Sequence, residues 1–212
     1  MNRLLPFLYV LGLYSAFMAG SILLRKQSPV PGSNTRQSRF PQMTFLLLVA
    51  VAVPSTLQLF FPAILSTFQR DYERFLSGDW WRLFTPLFVQ DGGVAGTIFN
   101  LAGLLLVGSV AERLWGGRSM LLIFFLGGIL AEIVAFAWQP LGAGNSVGNF
   151  SLAASIAIAG LVRRPPRPVQ IFALFTLGAD GVLVGLKDIH GVAAIVGAIL
   201  ALVLSRLGYG KE

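Results

Sequence analysis

Charge is confined to short clusters along this chain, and long uncharged stretches separate them. Residues 4–24, 41–69, 83–90, 92–111, 119–131, 133–162 and 168–179 contain no Asp, Glu, Lys or Arg. A bilayer core of ~30 Å takes about 20 apolar residues per helix. The pattern predicts seven spans, at about 4–24, 43–66, 97–115, 119–138, 146–162, 168–186 and 189–206. The first is too long for the core of a signal peptide and ends in "ILLRKQ" without a small-residue cleavage site, so it reads as a retained anchor. The 67–96 connection contains "FLSGDWWRLFTPLFVQDGG", with Trp80, Trp81, Phe84, Leu87 and Phe88. Aromatic residues gather at membrane interfaces, and a long ordered loop is usually functional. It is expected to lie partly immersed beside the bundle.

Composition agrees. Of 212 residues, 55% are hydrophobic and 12% charged, with a mean hydropathy of +0.75; a soluble domain carries about twice that share of charge. There is no cysteine and a single histidine, His190, which excludes disulfides, thiolate chemistry and a multi-histidine metal site. No metal or cofactor is expected. The net charge of +7 reports where loops sit rather than a nucleic-acid partner. Arg25, Lys26, Arg36 and Arg39, then Arg113 and Arg118 beside Glu112, then the "RRPPR" of 163–167, then Arg206 and Lys211 beside Glu212, all fall on one side of a seven-span chain. By the positive-inside rule that side is cytoplasmic. The N-terminus and Ser146 then face outside and the C-terminus is cytoplasmic, in a bacterial plasma membrane or one derived from it.

Few groups in the spans can do chemistry: Asn100, Glu132, Ser146, Asp180 and His190. Each has an ordinary reading. A serine in a membrane helix usually packs or bonds its own helix carbonyl, as Ser151 and Ser155 are expected to do. An asparagine serves as interhelical glue. Glu132 and Asp180 would pair with a loop arginine such as Arg82 or hydrogen-bond a helix end. Asp188 would sit in solvent beside Lys187, because residues two apart on a helix do not face each other. Yet Asn100, Ser146 and His190 each lie within about one turn of the outer end of their spans, at one depth. The stretch "GAGNSVGNFSLAAS" at 142–155 also places three glycines around Ser146, where the chain can turn tightly.

In order and spacing, Trp81 and Arg82, Asn100, "LLVGSVAERLWG" at 105–116, "GNS" at 144–146 and "HGVAAIVG" at 190–197 resemble the rhomboid family of intramembrane serine proteases. The resemblance covers 43–206. It implies an all-α polytopic membrane protein, a six-helix rhomboid-like bundle with one extra N-terminal transmembrane helix, as in the family's mitochondrial branch. The organisation expected is an extra helix at 1–24, a basic cytoplasmic linker at 25–42, the six-span core at 43–206 and a short tail at 207–212. The resemblance further implies a dyad, with Ser146 as nucleophile and His190 as general base, and an oxyanion hole formed by the Ser146 backbone N–H and the Asn100 side chain. Gly144, Phe150 and Gly197 would shape the site: Gly144 in the turn, Phe150 under the imidazole, and Gly197, with Ala193 and Ala194, keeping the histidine helix smooth enough to approach the serine helix. Substrates would be transmembrane proteins, entering laterally by the sixth span from the lipid bilayer, and the N-terminal helix could hold a membrane-complex partner.

Two positions depart from the family pattern. Gly96 stands where the family often has a histidine that helps at the oxyanion hole, and Val147 follows the serine where glycine is usual. They keep open a second reading, a catalytically inactive relative that binds membrane helices as an adaptor or structural subunit. A small transporter is disfavoured, since no pair of Gly/Pro-broken spans occupies matching positions.

Overall fold

A computed structural model describes residues 4–26, 40–163 and 165–208. Arg36, Arg39, Arg164, Lys211 and Glu212, and with them most of the 25–42 linker and the 207–212 tail, lie outside the described residues. The rest is all-α: α1 (Leu5–Lys26), α2 (Gln42–Phe60), α3 (Ala63–Phe68), α4 (Tyr72–Leu76), α5 (Gly93–Gly103), α6 (Ser109–Trp115), α7 (Gly117–Trp138), α8 (Ser146–Val162), α9 (Arg167–Gly185) and α10 (Ile189–Arg206). A widened π-turn at Leu104–Gly108 joins α5 to α6, so that Gly93–Trp115 forms one span. Among the described residues, six helices are long and apolar enough to cross a membrane, and α8 is a seventh, shorter apolar helix.

The second span ends earlier than its apolar run suggests, at Phe60 rather than 66. Pro62 is the cause: the residue before a proline is pushed out of the α region, and Phe61 leaves it at φ −125°, ψ 83°. The 67–96 connection is ordered. Its β1 (Arg70–Asp71) pairs antiparallel with β2 (Leu141–Gly142), stitching it to the loop before α8. Leu87 is wholly buried and packs against Gly128 of α7, whereas Trp80 is exposed.

The bundle is built around α8, the helix that begins with Ser146. Thirteen of its 17 residues are buried, and its small residues leave no polar face; a helix apolar on every side belongs in an interior. Neighbours approach it closely where glycine permits. A methyl added at Gly197 of α10 would collide with the Ser151 backbone, and one at Gly127 of α7 with the Ser151 side chain. Ser151 donates to the Ile123 carbonyl at 2.8 Å and Ser155 to the Leu152 carbonyl at 2.7 Å. Seventeen residues span only about 25 Å, so a centred α8 leaves its first residue below the bilayer surface.

The extra helix is part of this packing. α1 lies against α8 and α9 and touches α6. Gly12 meets the Phe150 ring, and a methyl at Gly20 would run into Val110 and Ile156.

Candidate active site

Where α8 and α10 begin, a cavity of about 520 Å³ opens, lined by Tyr9, Asn100, Gly144, Ser146, Val147 and His190 among others. Ser146 is the first residue of α8 and His190 the second of α10. Their closeness follows from the α8–α10 approach at Gly197. Ser146 Oγ lies 2.8 Å from His190 Nε2.

On the far side of the imidazole, Nδ1 lies 2.5 Å from Asp188 Oδ1. A carboxylate only accepts, so Nδ1 carries the proton and Nε2 is left to accept from the Ser146 hydroxyl. This corrects the expectation for Asp188, which is buried rather than solvent-exposed. The rule that residues two apart diverge holds within a helix, but Asp188 precedes one. It is the N-cap of α10, extended at φ −93°, ψ 132°, and its side chain also accepts from the His190 N–H at 3.0 Å. The connection from α9 fixes it there. Lys187 takes a left-handed φ of 55°, and the Asp188 and Lys187 N–H groups close back onto the Leu183 and Val184 carbonyls, the pattern of a Schellman helix end. Three residues thus end one helix, cap the next and deliver a carboxylate. Burial alone would raise the Asp188 carboxyl; the hydrogen bond and charge of His190, with the hydrogen bond from Tyr9, outweigh it and hold it at about 2. The signal in the sequence was an Asp immediately before an apolar helix, the residue type favoured at an N-cap.

Two aromatic rings hold the imidazole. Phe150, one turn below Ser146, meets it edge-on at 5.0 Å between centroids. Tyr9, from α1, lies at 4.5 Å with a tilt of 48°, and its hydroxyl donates to Asp188 Oδ2 at 2.7 Å.

Gly144 has φ +154°, which an L side chain rarely adopts. A methyl there would sit 3.2 Å from Ser146 Oγ and 3.3 Å from Asn100 Nδ2. The glycine therefore keeps open the space between the serine oxygen and the asparagine amide. One Asn100 N–H donates to Gln90 Oε1 at 2.7 Å; the amide has a second N–H to offer. Gln90 was not evident from the sequence. It is buried and donates to Asn145 at 2.8 Å and Ser55 at 3.3 Å, while its main chain exchanges hydrogen bonds with Gln58. The Asn100 carbonyl in turn accepts from Asn149 at 2.9 Å and Asn145 at 3.2 Å. Asn100 is thus clamped at both ends.

Val147 has ordinary helical geometry, and its side chain packs with Leu87, Ala131, Ala135, Ile189 and Ala193. Gly96 faces the cavity, and a methyl there would meet nothing. Glu132 pairs with Arg70 at 2.5 Å, not with Arg82. Arg82 is buried instead in its own loop, bound to Asp79 and to the Ser66 and Gln69 carbonyls. Asp180 lies buried in α9, with no hydrogen-bond partner among the described residues. Among those residues no three His, Asp or Glu side chains gather as metal ligands would.

Residues 77–211 match the family model described as the Rhomboid domain. The chain is 37% identical over 71 residues to rhomboid protease GluP of Bacillus subtilis (strain 168), covering 34% of this chain and 14% of that protein. It is 24% identical over 163 residues to rhomboid protease AarA of Providencia stuartii, covering 63% of this chain and 58% of that one.

Proposed function

The chain belongs to the rhomboid family, and from that premise we propose that it is an intramembrane serine endopeptidase acting through Ser146 and His190. One observation carries this reading: the 2.8 Å approach of Ser146 Oγ to His190 Nε2, between the first turns of two helices at the mouth of a cavity. Nε2 accepts the hydroxyl proton as Oγ attacks a peptide carbonyl. The oxyanion that forms faces the Ser146 N–H, unsatisfied at a helix N-terminus, and the second Asn100 N–H across the gap that Gly144 keeps clear. The imidazolium then gives its proton to the departing amine, and the acyl–serine bond is hydrolysed by water activated at the same nitrogen. Asp188 adds a third group to the dyad. It holds the tautomer that leaves Nε2 free and stabilises the charge on the ring.

In this reading 43–206 is the proteolytic core, with the N-terminus and Ser146 outside a bacterial-type plasma membrane and the basic helix ends inside. Substrates are single-span membrane proteins whose helix unwinds near small residues. The open space at Gly96 is the observation that favours the second reading, a relative that binds membrane helices without cleaving them, since an oxyanion donor is worth about 10²–10³ in rate.

The deciding experiment is cleavage of a single-span reporter in proteoliposomes by wild type, Ser146→Ala and His190→Ala. Cleavage abolished by either substitution is expected. Wild type that cleaves no reporter, and whose Ser146 a fluorophosphonate does not label, would transfer the assignment to the binding protein.

A further inference from the structure

We propose that Tyr9, on the extra N-terminal helix, is a positioning residue of the hydrolytic site, so that α1 belongs to the catalytic apparatus. This rests on the protease reading given above. Three contacts converge on one side chain. The Tyr9 hydroxyl donates to Asp188 Oδ2 at 2.7 Å, leaving Oδ1 for the imidazole. Its ring lies against His190 at 4.5 Å, and against Phe150 at 5.5 Å and 71°. The imidazole is thus flanked by two aromatic rings, one from α8 and one from α1, and its carboxylate partner is held from two directions.

A helix serving only as an anchor would have no need of this register. One turn deeper, Gly12 brings the α1 backbone against Phe150, and its carbonyl accepts from Thr176 of α9 at 3.3 Å. These contacts fix both the depth and the rotation at which Tyr9 enters the site. The hydrogen bond supplies what the carboxylate needs. With Oδ2 held by Tyr9, the Asp188 carboxylate keeps Oδ1 on Nδ1, which favours the tautomer with its proton on Nδ1 and a bare Nε2 facing Ser146. Without it the second tautomer becomes accessible, and in that tautomer His190 is no base for Ser146. Tyr9 touches neither scissile bond nor nucleophile; it acts through Asp188 and His190.

The test uses Tyr9→Phe, which keeps the ring and its packing and removes only the hydroxyl. In proteoliposomes kcat should fall about tenfold or more, the size expected for losing a hydrogen bond to a charged group, with KM unchanged. In an Asp188→Asn background the same change should have no further effect. His190 is the only histidine, so ¹⁵N-histidine labelling of a protein purified without a histidine tag reads one imidazole. Wild type should show protonated Nδ1 and bare Nε2, and Tyr9→Phe a mixture of tautomers. An unchanged kcat and an unchanged tautomer in Tyr9→Phe overturn the proposal. So does a loss of kcat that persists in full when Asp188 is already Asn. If wild type cleaves nothing and resists the fluorophosphonate, the protease reading has failed. The spectrum then decides by itself whether Tyr9 orients the ring.

Discussion

At the scale of single residues, the site depends on what fills and what leaves empty a few cubic ångströms around Ser146. Gly144→Ala puts a methyl between Ser146 Oγ and Asn100 Nδ2 and demands a φ of +154° from an alanine. Cleavage should drop by about 10² or more, the scale of a lost oxyanion donor, while labelling of Ser146 by a small fluorophosphonate falls less. Asp188 makes a different prediction. Its folded value of about 2 lies below the ordinary value near 3.9, so its ionised form stabilises the fold. That contribution is complete above about pH 4 and is lost as pH falls through about 2. Melting temperatures of wild type and Asp188→Asn should therefore converge as pH falls from about 4 towards 2. That Ser146, His190, Asn100 and Phe150 would gather at the candidate site could be read from the sequence because family-like motifs mark them; that Asp188, Gln90 and Tyr9 join them could not, because each is placed by a partner that only the fold supplies: a cap geometry, a buried amide network and a helix 179 residues away.

At the scale of elements, the start of α2 is completed by a neighbouring span rather than by its own sequence. α2 has no capping side chain at its N-terminus. Instead Glu112, at the end of the α5–α6 span, accepts from the Met43 and Thr44 N–H groups at 3.1 and 2.7 Å and from the Thr44 hydroxyl at 2.7 Å. Glu112→Ala leaves these donors unmet beside an unopposed helix dipole and should cost about 1–2 kcal/mol, measured by thermal unfolding in detergent, with little change in kcat because the site lies at the other end of the bundle. The sequence showed Glu112 only as part of a family-like helix end. Its role needs the antiparallel placement of two spans. Span number and order were legible because charge-free runs and bilayer thickness leave few alternatives; the boundary at Phe60 was not, since an apolar run continues through Pro62 although the helix does not.

At the scale of the whole molecule, two of the ties that hold the mouth of the cavity to the bundle can be tested. One is the β1–β2 pairing. The other is Arg70, whose guanidinium bonds the Gln139 carbonyl at 2.7 Å and Glu132 of α7. Removing one member of a buried ion pair typically costs about 3–5 kcal/mol, whereas replacing both with apolar groups of similar volume is often near neutral. Glu132→Leu should thus lower the melting temperature far more than the Arg70→Met, Glu132→Leu pair. Both variants should also lose cleavage if the loop they anchor shapes the mouth.

The junction of α1 with α10 bears on biosynthesis. Tyr9 meets Asp188 across 179 residues of chain. α1 leaves the ribosome well before α10 and waits in the bilayer for it, and a nascent chain lacking α10 has an exposed Tyr9 and no imidazole beside Ser146. Competence to cut should therefore appear late and abruptly: ribosome-stalled intermediates should resist the fluorophosphonate until His190 has cleared the insertion machinery and α1 has docked. On the proposed reading, such timing would keep Ser146 silent while the membrane around it is crowded with unassembled helices.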